Sequence, residues 1–242
     1  MKTFKSYLPI VLATLGFVSI PTAANAVSFN AMGDSFTDTV FRSEIESGKF
    51  TELFVAESRI GLQGSERELG INTATGANVA DGQFNWVNGQ AVDFSLNYDG
   101  SQVTYTVGGV QLNSTDFSGN VDKIYLRTTG SGGNKAGSMS LSNLMFNGQS
   151  YSGLSSTGIA GGDRDVDYLA ITAINSPFTF TGTSTMSWTD NKPARSNLAY
   201  QIKVGTSNSE EVPEPLTILG TVAALGFGVG FKKKHSEQKE NN

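Results

Sequence analysis

Strict alternation of apolar and polar side chains dominates the middle of the chain. In 91 to 97, Val92, Phe94 and Leu96 fall on one face, and in 102 to 107 Val103, Tyr105 and Val107 do the same. A period of two is the signature of a strand with one buried face. Tyr98-Asp99-Gly100-Ser101 joins the two runs, and Asp-Gly between alternating segments predicts a tight hairpin because glycine supplies the positive φ that the turn demands. Further strands are predicted at 51 to 57, 83 to 87, 122 to 128, 138 to 146, 168 to 174, 178 to 188 and 198 to 204, punctuated by Asn88-Gly89, Asn147-Gly148 and Gly161-Gly162. The one helix-like stretch lies around 35 to 45, where Thr39, Val40 and Phe41 weaken it. Short antiparallel strands in this number predict an all-β fold of two packed sheets, a jelly-roll-like sandwich. No fixed repeat period is visible, which argues against a propeller or solenoid.

The two ends break the alternation. Lys2 and Lys5 precede an apolar run from Leu8 to Ile20, followed by Pro21 and Ala24-Asn25-Ala26. That is the layout of a signal peptide, with signal peptidase expected to cut between Ala26 and Val27. As a helix the apolar run would rise about 20 Å, short of the roughly 30 Å hydrocarbon core, so a permanent span is the weaker reading. At the other end a polar segment, 205 to 211, leads into Val212-Pro213-Glu214-Pro215. Sixteen mostly apolar or small residues follow, Leu216 to Phe231, then Lys232, Lys233, Lys234 and a hydrophilic tail, 235 to 242. About 24 Å of helix containing four glycines is marginal for a span, and the lysines would hold its far end on the cytoplasmic side, leaving the body outside.

These C-terminal elements resemble the PEP-CTERM sorting signal of bacteria, the substrate signal of exosortase. The resemblance implies that Pro213, Glu214 and Pro215 form the recognition motif, that 216 to 231 is a transient helix, and that Lys232 to Lys234 is its stop. The tail after Lys234 is longer than the family's usual few residues. A tail-anchored membrane protein with a Pro-rich stalk is the alternative. The expected organisation is a signal peptide (1–26), a β-sandwich body (27–204), a polar linker (205–211), a sorting signal (212–234) and a polar tail (235–242).

Within the body, Phe84 to Leu96, Val103 to Gly108 and Asp165 to Ile171 are similar to the choice-anchor domains that precede surface-sorting signals, the W type being nearest. This resemblance implies an extracellular β domain without an established ligand.

Composition narrows the chemistry. The 242 residues include no Cys and one His, His235, which lies beyond the sorting helix. Thiolate nucleophiles, disulfides and Cys/His zinc sites are thereby excluded, and a Ser-His-Asp triad would have to use His235. Residues 27 to 212 hold 11 Lys+Arg against 19 Asp+Glu, so the exported body is acidic, with no basic footprint for nucleic acid. Ser and Thr make up 42 of those 186 residues, which suits a solvated extracellular surface.

Four candidate sites follow. Asp163, Asp165 and Asp167 alternate along one segment and could converge on Ca²⁺, with Arg164 on the other face. The spacing is not that of an EF-hand, and an acidic solvated turn is the alternative reading. Trp86 could stack on a sugar, as could Trp188, although a Trp in an alternating strand more often belongs to the core. Glu44/Glu46, Glu52/Glu57 and Glu66/Glu68 are the carboxylate pairs available for glycoside chemistry, which needs two carboxylates about 5 to 10 Å apart. Gly33-Asp34-Ser35 resembles the nucleophile turn of GDSL-type esterases, but the Asp-x-x-His that should supply the base is missing.

The expectation is therefore a non-enzymatic surface or matrix protein, transiently membrane-anchored and bound to envelope or matrix polysaccharide, with no cofactor apart from the Ca²⁺ option. A secreted carbohydrate-active enzyme and a calcium-dependent carbohydrate-binding module are its rivals.

Overall fold

The computed structural model describes residues 26–61, 66–132, 136–158, 162–189, 191–193, 195 and 197–208. They form thirteen strands and one helix: β1 (Ser28–Ala31), α1 (Asp38–Glu46), β2 (Phe50–Arg59), β3 (Leu69–Thr73), β4 (Asn78–Gly82), β5 (Ala91–Tyr98), β6 (Val103–Val107), β7 (Val110–Ser114), β8 (Lys123–Gly130), β9 (Gly137–Phe146), β10 (Gln149–Thr157), β11 (Asp165–Thr172), β12 (Phe178–Trp188) and β13 (Ala199–Ser207). Seven strands pair in the order β1-β11-β8-β13-β2-β3-β4, and six in the order β10-β9-β12-β5-β6-β7. Every pairing is antiparallel. The two sheets stack as a β-sandwich around one continuous core.

Alternation explains that core. Val92, Phe94 and Leu96 of β5 and Val103, Tyr105 and Val107 of β6 face inward, meeting Phe54 and Ala56 of β2 and Tyr200, Ile202 and Val204 of β13 from the opposite sheet. A buried hydroxyl chain crosses the layer. Ser58 Oγ and Tyr105 OH lie 2.7 Å apart, and Tyr105 OH donates to Tyr200 OH at 2.9 Å. Burial holds the Tyr200 phenol un-ionised and pushes its pKa up to about 12.

Turn chemistry fixes the register. In the β5–β6 hairpin Gly100 has φ +103°, and Asp99 Oδ1 accepts from the Ser101 and Gln102 amides at 2.8 and 2.7 Å. At one edge β10 folds against β8 and β11 of the other sheet. A Cβ on Gly130 there would lie 2.6 Å from the Gly158 amide, so the two backbones can approach only as glycines.

The structure adds five strands that the pattern did not predict, β1, β3, β4, β7 and β10. It also corrects the one predicted at 83 to 87, where the chain is irregular. Phe84 and Trp86 do turn inward, but their backbone joins no ladder, because alternation reports burial and not pairing. β11 begins earlier than expected, at Asp165, and β13 runs through Ser207, three residues into the expected polar linker. Val27, expected to open the mature chain, packs partly buried against the core just before β1. Ala24 and most of the signal segment, the sorting signal including Val212 to Pro215 and Lys232 to Lys234, and the tail all lie outside the described residues. Among the described residues no helix is long and apolar enough to cross a membrane.

Candidate functional site

The outer face of the seven-stranded sheet carries a second, smaller core. Phe36 and Phe41 from the α1 region pack on Phe50, Tyr125, Tyr168 and Ala170 of the sheet. Phe41 stacks on Tyr168 at 5.5 Å and meets Tyr125 edge-on at 5.2 Å. Local sequence alone makes α1 a poor helix; these ring contacts, an N-cap by Thr37 and a Gly48 at φ +72° just past its end supply what propensity lacks.

Two polar clasps hold the helix down. At its N-terminal turn Asp38 receives a bidentate pair from Arg127, Nε and Nη2 each donating at 2.7 Å, and a third bond from Tyr168 OH at 2.7 Å. Arg127 Nη1 also donates to Thr129 Oγ1 at 2.6 Å. Burial pushes the Asp38 carboxyl up, but hydrogen bonds from Arg127 and Tyr168 and the charge of Arg127 outweigh it and hold the group below its ordinary range. At the other end Tyr125 OH donates to Glu44, and Lys123 lies 3.8 Å from the same carboxylate while its Nζ sits 4.4 Å over the Tyr125 ring.

Beside the helix a groove of about 430 Å³ opens on this face. Its floor is a single register line across four strands, Tyr168, Arg127, Gln201 and Glu57, roughly 14 Å long at the usual strand spacing. Glu57 is buried and saturated: Oε2 accepts from Gln201 Nε2 at 2.9 Å, and Oε1 lies 3.3 Å from Arg59 Nε. Lys203, one row along, pairs with Glu52 at 3.3 Å and sits 4.9 Å over the Phe41 ring. Arg42 from α1 and Arg164 just before β11 complete the rim; both are exposed, and neither has an ion pair among the described residues. Five cations line the groove against two carboxylates, Asp38 and Glu57, on a body whose net charge is negative.

The residues singled out from sequence are distributed differently. Trp86 is corrected to core: it is 2 % exposed, its Nε1 donates to the Arg59 carbonyl at 3.0 Å, and its ring meets Phe84 at 4.7 Å, so no face is left for a sugar. Trp188 is partly buried at the end of β12. Asp165 and Asp167 do share a face of β11, with Arg164 lining the groove on the other side, but both carboxylates are engaged by β10. Asp165 Oδ2 accepts from the Thr157 amide at 2.6 Å, and Asp167 Oδ2 from Ser156 Oγ at 2.8 Å. Burial raises the Asp167 pKa, and the charges of Asp165 and Asp34 add to this. Among the described residues no three His, Asp or Glu side chains are grouped to hold a metal ion.

Of the carboxylate pairs, Glu52 and Glu57 share the outer face of β2, each with its own cation. Glu68 turns away to accept from the Gly61 amide at 2.9 Å. Ser35 is exposed in a turn closed by Phe36 N to Gly33 O, and His235 lies outside the described residues. Sequence reasoning missed Asp38, Arg127, Tyr168 and Lys203. The available signal was basic residues inside two alternating strands, Lys123 and Arg127 in 122 to 128 and Lys203 in 198 to 204, matched by glutamates in 51 to 57. No protein-family model matches this chain, and no curated protein does.

Proposed function

We propose that this is an exported bacterial surface or extracellular-matrix protein, non-enzymatic, which presents a jelly-roll-like domain of choice-anchor type to envelope or matrix polysaccharide. The observation that carries the reading is the pairing of two addresses on one chain. These are the basic, apolar and Ala24-Asn25-Ala26 segments at the start, and Val212-Pro213-Glu214-Pro215, a sixteen-residue apolar run and Lys232 to Lys234 at the end. Signal peptidase and an exosortase-like enzyme are its processing partners. Val27 packs partly buried against the core, so the residue expected to open the mature chain belongs to the sandwich.

The groove supports binding over catalysis. Glycoside hydrolysis needs a carboxylic acid with a raised pKa, whereas Asp38 is shifted down and both its oxygens are occupied. Glu57 is likewise tied to Gln201 and Arg59. The engaged carboxylates of Asp165 and Asp167, half-buried in β11 and not in a solvated turn, support a structural role over Ca²⁺ binding, and a Ca²⁺-induced rise in melting temperature that Asp165→Ala abolishes would overturn it.

The test is intact mass and N-terminal sequencing of the extracellular form. A mature chain beginning at Val27 and lacking 216 to 242 is expected. A membrane-embedded species still carrying Lys232 to Lys234 as the sole stable product would defeat the processing claim. Pro213→Ala with Pro215→Ala should retain the precursor in the membrane with the sandwich folded, and unchanged release would reduce the motif to a stalk.

A further inference from the structure

The groove beside α1 concentrates positive charge on an acidic body. Arg42, Arg59, Arg127, Arg164 and Lys203 line it beside Asp38 and Glu57, and Glu52 pairs with Lys203 from the adjoining row. Arg127 is fully committed to Asp38 and Thr129, and Lys203 to Glu52, so these two build the floor. The guanidinium groups left over are those of Arg42 and Arg164, exposed and without an ion pair among the described residues. Ile45, 39 % exposed and three residues from Arg42 on α1, gives the same groove an apolar wall, whereas Ala199 in the lining is buried.

An apolar wall beside free, fork-shaped donors suits a ligand with a C–H face and a planar anion at its edge. A pyranose bearing a carboxylate has both: the ring lies on the wall, and the carboxylate accepts paired N–H bonds from an arginine. We propose that the groove is a subsite for uronic-acid units of an extracellular polysaccharide, with Arg42 and Arg164 as the carboxylate-binding residues. This rests on the polysaccharide part of the function proposed above and names its chemistry. The rest of the body, with 19 acidic and 11 basic residues, repels polyanions in general, so retention of a uronate polymer has to come from the groove itself.

Affinity electrophoresis of the full chain in neutral detergent tests this, with gels containing polygalacturonate, carboxyl-reduced polygalacturonate or dextran sulfate. The expected result is retardation by polygalacturonate, weakening as salt rises. Arg164→Ala should lower the affinity about tenfold and Arg42→Ala with it further, as is usual for bonds to a charged group. Thr183→Ala on the opposite sheet should leave it unchanged. Both arginines are exposed, so the melting temperatures of the variants should match the parent, which separates lost binding from lost fold.

Equal retardation by the carboxyl-reduced polymer would overturn the uronate assignment while leaving the broader polysaccharide reading in place. Retardation by none of the three polymers would overturn both. Equal retardation by dextran sulfate would reduce the effect to general anion attraction, and full polygalacturonate binding by the double variant would place the site elsewhere. Either result defeats the proposal.

Discussion

On the outer face of the seven-stranded sheet the strands carry Arg59, Lys123, Arg127 and Lys203, with Glu52 and Glu57 between them. On the six-stranded sheet the outward positions are Thr179, Thr181, Thr183 and Thr185 of β12, Ser95 and Asn97 of β5, Thr104 and Thr106 of β6, and Ser138, Ser140 and Ser142 of β9. The strands of that sheet contain no Lys, Arg or Glu, and their only charge is Asp93. Short hydroxyls reach no further than the next strand: Thr179 Oγ1 donates to Asn97, Thr183 Oγ1 to Asp93 and Thr104 Oγ1 to Asn113, at 2.8 to 3.0 Å. Long charged side chains reach beyond the sheet. Arg127 and Lys123 fasten a helix over it, and the helix creates the groove. Both faces solve the same problem of wetting a sheet, but only the one with long side chains acquires a third layer and a concave site.

The sharpest way to break the contrast is Arg127→Ala. It strips Asp38 of its bidentate partner and leaves Thr129 and Tyr168 without their neighbour at the base of α1. Removing one member of a buried pair costs about 3 to 5 kcal/mol, and since the Asp38 side chain is 48 % exposed, a loss of about 2 to 3 kcal/mol is expected by urea denaturation. A loss below about 0.5 kcal/mol would make the charged face as dispensable as the hydroxyl face.

Tyr105→Phe probes what the two sheets share. It removes the hydroxyl that links Ser58 and Tyr200 across the core, and a buried hydrogen-bond network broken at one member should cost about 1 to 2 kcal/mol. A neutral result would show that the chain of hydroxyls is satisfied in another way.

Acid titration separates two carboxylates of opposite sign. Asp38, shifted below its ordinary value of 3.8, stabilises the fold fully above that value and loses its contribution as pH falls through its depressed one. Asp167 is shifted upward, so the cost of its ionisation is present at neutral pH and disappears as pH falls through its raised value. Asp38→Asn should therefore be less stable than the parent at pH 7, the gap closing only below the ordinary carboxylate range. Asp167→Asn should be at least as stable at pH 7 and lose that advantage on acidification. Denaturation midpoints at stepped pH read both, and gaps that do not change with pH would reject the assignments.

The smallest effect belongs to the hydroxyl face. Thr183→Ala deletes one solvent-exposed cross-strand bond to Asp93 and should change stability by less than about 0.5 kcal/mol in thermal melts. A larger loss would mean that the hydroxyl rows act cooperatively.

Much of the sandwich was legible in the sequence. β12 spans 178 to 188 as its alternation predicts, and the β5–β6 hairpin turns at Asp99-Gly100. At the β9–β10 turn Asn147 and Gly148 both take positive φ, 46° and 86°, as Asn-Gly between strands requires. β3 and β4 were not legible, because the polar or small residues of Leu69–Thr73 and Asn78–Gly82 break the period. Trp86 was left between core and sugar contact: its inward direction could be read, but whether it ended at a surface depended on Phe84 and the Arg59 carbonyl closing around it. The groove was the least legible part, since each of its strands shows only one to three charged residues.

By itself the sequence determined which side chains turn inward and where the chain reverses. Both are local properties, set by a two-residue period and by the few residues that accept positive φ. Only the tertiary structure decided which strand lies beside which, and therefore what each outward charge meets. Asp38 is 89 residues from Arg127 and 130 from Tyr168, yet all three meet at one carboxylate. The same holds for α1, whose sequence is a weak helix former and whose conformation is settled by Phe41 finding Tyr125 and Tyr168 beneath it. Contacts of that range depend on strand order, which no local pattern encodes, and so the charged groove exists only once the sheet has assembled.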